Sequence, residues 1–139
     1  MKRLQYIFVF VLLNLLCISD LPAQDCPDGD IILRTQSDID NFPLDYPNCT
    51  EFEYGIRTIN DSSNPIQNLD SLIQIKIIHG NLNIRELPNL LSLSGLDSLQ
   101  YVGGSLELYR VYDLIHLDNL ASLTSIGGTF TLRGNSDLT

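Results

Sequence analysis

The chain has 139 residues, 44% hydrophobic and 18% charged, with no tryptophan: enough for one modest domain and too few for two. Seventeen acidic against eight basic side chains give a net charge of −9, and apart from Lys2 and Arg3 the basic residues stand singly. With no cationic stripe to neutralise phosphates, the composition argues against a nucleic-acid partner.

Residues 1–24 read as a secretory signal peptide. Lys2 and Arg3 open an apolar run from Tyr6 to Ile18, interrupted only by Asn14 and followed by Leu21-Pro22-Ala23-Gln24. A membrane span needs about 20 apolar residues, and this run has thirteen. Cleavage is expected after Ala23 or Gln24, and neither Cys17 nor Cys26 follows the pair of small residues that a lipid anchor would require. The later cut leaves 115 residues with 16 acidic and 6 basic side chains, no transmembrane segment, and two cysteines, Cys26 and Cys49. In an oxidising compartment that even pair is expected to form a disulfide, worth about 3 to 3.5 kcal/mol on the chain-entropy account. A redox or metal site would want a Cys-x-x-Cys spacing or a nearby His, and the sequence offers neither.

Residues 25–60 read as an N-terminal cap with a first, irregular strand. Ile31-Ile32-Leu33 is a short strand. Ser37-Asp38-Ile39-Asp40 reads as a helix start with Ser37 as N-cap, and Pro43 and Pro47 keep that helix brief. A strand is expected near Phe52 to Ile59, held to the cap by the disulfide. Gly55 precedes Gly80 by 25 residues rather than 24, which predicts a bulge or shifted register there.

Residues 61–139 repeat with a period of 24. Gly80, Gly104 and Gly128 share a column, followed by Leu82, Leu106 and Phe130 and then by Ile84, Leu108 and Leu132. Leu90, Leu114 and Leu138 continue the register, as do Leu93 with Leu117, Leu96 with Leu120, Leu99 with Leu123 and Val102 with Ile126. Running backward, Ile66, Leu69, Leu72, Ile75 and Ile78 fill the same columns. The apolar spacing changes from two to three within each row, which suits a short strand followed by a chain that keeps turning around a core. Equivalent strands would stack in parallel, about 4.8 Å apart. The predicted fold is mainly β, a parallel β-helix or leucine-rich solenoid with 24-residue turns and a short α/β cap.

The string from Cys26-Pro27-Asp28-Gly29-Asp30-Ile31 through Thr35-Gln36-Ser37-Asp38-Ile39-Asp40-Asn41-Phe42 to Tyr46-Pro47-Asn48-Cys49-Thr50 resembles the opening of a receptor L domain. Rows such as Gly104-Ser105-Leu106-Glu107-Leu108 are similar to that family's repeat. The resemblance covers residues 26–139 and implies a right-handed β-helical solenoid of the kind found in insulin and epidermal growth factor receptor ectodomains and in many secreted bacterial proteins. A bacterial cell-surface protein is the expected setting. The family's turns are commonly closed by an Asn after the strand, whereas this slot holds Leu87, Val111 and only then Asn135, so apolar packing is expected to replace an asparagine ladder.

No catalytic constellation is present: His79 sits in a glycine column, His116 in a polar one, and neither is spaced to a nucleophile. No cofactor or metal is expected. If Leu82 and Ile84 face inward, then Arg85, Tyr109 and Arg133 form an outward column, with Arg110 and Tyr112 just beyond it. On an acidic chain this cluster suits an anionic or carbohydrate ligand through planar hydrogen bonding and ring stacking, or, without any ligand, cation–π stacking between rows. An ice-binding face would repeat Thr-x-Thr, and only Thr129-Phe130-Thr131 has it. The expected function is a secreted or cell-surface, non-catalytic binding or structural module for a protein or glycan. The alternative is a fragment of a larger carbohydrate-active or adhesin-type surface protein, since the last row stops at Thr139 without the columns that would cover it.

Overall fold

The computed structural model describes residues 26–139, so the expected signal peptide lies outside the described residues. The chain runs β1 (Ile31–Leu33), α1 (Gln36–Asp45), β2 (Glu51–Phe52), β3 (Ile56–Thr58), β4 (Ile77–Ile78), β5 (Leu82–Arg85), β6 (Tyr101–Val102), β7 (Leu106–Tyr109), β8 (Ser125–Ile126) and β9 (Phe130–Arg133). Odd-numbered strands form a five-stranded sheet in the order β1-β3-β5-β7-β9, and even-numbered strands a four-stranded sheet in the order β2-β4-β6-β8. All pairings are parallel. The core lies between the sheets and the turns that join them, and it includes Ile78, Ile84, Leu90, Leu99, Val102, Leu108 and Leu114 at 0–1% exposure.

The predicted columns are structural columns. Leu82, Ile84 and their partners Leu106 and Leu108 face inward, while Asn83, Arg85, Glu107 and Tyr109 face out. Between strands the i to i−3 hydrogen bonds recur every 24 residues: Leu72 N–H to Leu69 O, Leu96 to Leu93, and Leu120 to Leu117, each 2.9 Å. These tight turns match the three-residue apolar spacing, and Ile66, Leu69, Leu72 and Ile75 are all buried. At the corners, a Cβ on Gly103 would collide with the His79 carbonyl, and one on Gly127 with the Gly103 carbonyl. Both corners therefore need glycine for close backbone approach rather than for a positive φ.

The irregular first row has a specific cause. Ile56 pairs with Leu82 and Phe52 with Ile78, both 26 positions apart, whereas the following strands pair at 24. Two extra residues lie between Thr58 and Ile66, in a loop where Asp61 Oδ1 accepts from Ser63 N at 2.9 Å and Ser63 Oγ at 2.7 Å. The anticipated irregularity is thus a register shift.

The cap differs from expectation in one respect: Thr35, not Ser37, is the N-cap. Thr35 Oγ1 accepts from Asp38 N at 3.1 Å, and the Asp38 carboxylate accepts from Thr35 N at 3.0 Å and Arg34 N at 2.7 Å. The segment contains two overlapping Ser/Thr-x-x-Asp signals, and the earlier one wins because Ser37 accepts from Asn64 Nδ2 instead, at 2.8 Å. The helix passes through Pro43 for two further residues, closing with Tyr46 N–H on Phe42 O at 2.9 Å. Its buried face, Ile39 and Phe42, covers the first core layer, and Cys26 is bonded to Cys49 as anticipated.

The slot after the strand follows the apolar expectation. Leu87 and Val111 are fully buried, and Asn135 closes the last turn by accepting from Val111 N at 2.9 Å and donating to Leu108 O at 3.0 Å.

Candidate functional site

The outward face of the five-stranded sheet gathers most of the positive charge. Among the described residues there are six basic side chains, and five of them (Arg34, Arg57, Arg85, Arg110 and Arg133) lie on, or directly after, strands of this sheet. The sixth, Lys76, precedes β4 in the other sheet. Of the strand arginines, Arg85 and Arg133 share a register position, whereas Arg57 belongs to a different column of the same sheet.

Arg85, Tyr109 and Arg133 occupy one register position. The guanidinium of Arg85 lies over the Tyr109 ring at 5.3 Å from its centroid, and that of Arg110 at 4.9 Å. Arg85 Nε is buried 3.0 Å from Glu107 Oε2, an ion pair bent away from hydrogen-bond geometry. Such a partly exposed pair contributes at most about 1 kcal/mol, so its main effect is to fix where the guanidinium points. Arg110 pairs with Glu86 at 3.7 Å. Tyr112 shares a shallow depression of about 250 Å³ with Arg110, Glu86, Pro88 and Asn60, and Asn60 Oδ1 there is buried with no hydrogen-bond partner. Arg133, at the open edge, enters no ion pair among the described residues. The structure thus gathers Arg85, Tyr109 and Arg110 tightly, places Tyr112 beside Arg110, and sets Arg133 next to Tyr109 in register without an ion pair among the described residues.

Backbone strain marks the same corner. Glu86 and Arg110 hold φ of 56° and 55° at equivalent positions just after β5 and β7, where the next row has Gly134 at 63°. Left-handed backbone at a non-glycine residue costs on the order of 1–3 kcal/mol. Here it accompanies the charged pair beside Tyr109.

Two groups of site residues were missed in the sequence reading. Arg57 is exposed on β3 and lines a cleft of about 310 Å³ with Thr58, Ile59, Arg85, Glu86 and Tyr109. Its register partner is Asn83, 26 positions on, so a strict 24-residue alignment does not place it beside Arg85. On the other sheet, His79 Nε2 lies 2.8 Å from Glu51 Oε1 and 3.9 Å from Glu53 Oε1. The hydrogen bond to Glu51, reinforced by the Glu53 charge, raises the His79 pKa above its ordinary value. One ligand atom from each of these three exposed residues falls within a 4.8 Å span, the spacing a metal ion could use.

No helix among the described residues is long and apolar enough to cross a membrane. Comparison with curated proteins and with solved structures finds no match. A family profile described as Receptor L domain, which denotes an extracellular ligand-binding module rather than a catalytic family, matches residues 48–139. Most of the cap, including Cys26 and α1, precedes that match. With the larger part of its length matched, the chain belongs to the receptor L domain family.

Proposed function

We propose that the protein is a secreted or cell-surface binding module whose ligand surface is the outward face of the five-stranded sheet, centred on Arg85, Tyr109, Arg110, Tyr112 and Arg133. The ligand is a protein or a glycan. In this reading residues 1–24 are removed as a signal peptide, residues 25–60 cap the first row, and residues 61–139 form the turns of a right-handed solenoid. The 24-residue offset of successive parallel strands supports the solenoid.

The observation that carries the functional reading is the charge segregation: five of the six basic residues among the described residues serve one sheet on a chain of net charge −9. A carbohydrate-active site finds less support, because Glu107 is tied to Arg85 at 3.0 Å and Glu86 faces Arg110 at 3.7 Å. The test is a glycan array and a pull-down on extracellular proteins, comparing the native chain with Tyr109→Ala plus Arg133→Ala. The double variant is expected to lose binding while keeping its melting temperature. Binding that survives the double substitution removes this surface as the ligand site.

A further inference from the structure

Resting on the reading of the five-stranded face as the ligand surface, we propose that the cleft between Arg57 and Arg85 anchors a Glu or Asp side chain from an acidic segment of a protein partner.

The cleft offers one cation without an ion pair among the described residues, Arg57, and one held cation, Arg85. Arg57 is exposed and makes no ion pair or side-chain hydrogen bond among the described residues, so its fork of N–H donors is available. Arg85, across the cleft, is oriented by Glu107 and by the Tyr109 ring. A carboxylate entering between them meets one preorganised guanidinium and orders only the other, which is a geometry suited to bidentate recognition.

The walls suit a single acidic side chain. The Thr58 hydroxyl is committed to the Arg85 backbone, accepting from its N–H at 2.9 Å, and Ile59 supplies an apolar surface. The one carboxylate in the lining, Glu86, faces Arg110 at 3.7 Å. The lining therefore keeps a net positive charge. The volume, about 310 Å³, stands at the lower end of the range for ligand pockets, roughly 300–1,000 Å³.

The chemistry favours a peptide over a sugar chain. Saccharide recognition by tyrosine uses an open ring face, but the Tyr109 ring already carries two guanidinium groups, from Arg85 and Arg110. The overall negative charge of the chain does not forbid an acidic partner. Screening in physiological salt acts over about 8 Å, and around the cleft Arg57, Arg85 and Arg110 outnumber Glu86 and Glu107, which favours docking at this face.

The test selects a random twelve-residue phage-displayed peptide library on the full chain, then measures the enriched peptides by fluorescence anisotropy in 50 and 500 mM NaCl. Enriched peptides are expected to carry Asp or Glu and to bind more weakly in high salt. Arg57→Gln is expected to weaken them at least tenfold, Arg57→Lys less, and Lys76→Gln not at all. Enriched peptides that are lost with Tyr109→Ala plus Arg133→Ala, yet lack acidic bias and ignore Arg57→Gln, would overturn the carboxylate anchor and leave the face reading standing. If a heparin hexasaccharide binds through Arg57 while no peptide is enriched, the protein-partner assignment fails. Binding of neither probe overturns both readings.

Discussion

The two ends of the stack carry the same residue pattern and have different surroundings. At the N-terminal end, Ile39 and Phe42 of α1 cover the first layer, and Phe52 and Ile56 beneath are at 0% and 2% exposure. At the other end β9 and β8 are the edge strands. There Phe130 and Leu132, column-mates of the fully buried Leu106 and Leu108, are 46% and 42% exposed. Column identity says which way a side chain points, and only a neighbouring layer removes it from water. Stability in such a stack therefore resides in the interfaces between rows.

The strongest way to break this comparison is to truncate one column at two depths. Leu108→Ala is expected to cost about 2–5 kcal/mol, as for other fully buried leucines, and Leu132→Ala at the open edge less than about 1 kcal/mol. Urea titrations of both variants measure the difference, and equal losses would mean that the edge row is covered in solution. Next in size is the clamp at the capped end. Replacing Cys26 and Cys49 together by Ala is expected to remove about 3 kcal/mol, seen as a lower denaturation midpoint, with the far-UV spectrum of the sheets kept. A midpoint unchanged by the double replacement would show that α1 holds the cap without the bond.

The smallest expected effect is the tie between His79 and Glu51, which joins the first row to the second. The His79 pKa is raised in the folded state by its hydrogen bond to Glu51 and the charge of Glu53. Its stabilising contribution is thus complete below about pH 6.5, the unfolded value, and is lost as pH rises through the raised folded value. The melting temperature of the native chain should exceed that of His79→Gln by more at pH 5.5 than at pH 8.5. A constant difference would mean that the imidazole is held by contacts rather than by charge.

The regular rows were legible because Gly80, Gly104 and Gly128 keep strict phase, and so do the leucines that follow. The disulfide was legible because Cys26 and Cys49 are the two cysteines that follow the expected cleavage site. The four-stranded sheet was not, because its strands are two residues long and sit within apolar spacing of three. The overlooked site residues share one cause. Two extra residues after Thr58 shift the first row, which conceals both the pairing of Arg57 with Asn83 and the approach of His79 to Glu51. The N-cap was misplaced because Thr35 and Ser37 both start an acceptable capping box, and a long-range contact to Asn64 decides between them.

The residue-for-residue register of β5, β7 and β9 also governs which length changes the protein can survive. Deleting one residue within β7 would turn the following inward leucine toward water and bring its polar neighbour into the core, since strand side chains alternate. Removing or duplicating a full 24-residue row keeps the inward columns of the remaining strands in register. For this molecule the natural unit of insertion and deletion is the row, and the gene can lengthen or shorten the outward sheet face in whole steps while keeping the inward columns in register.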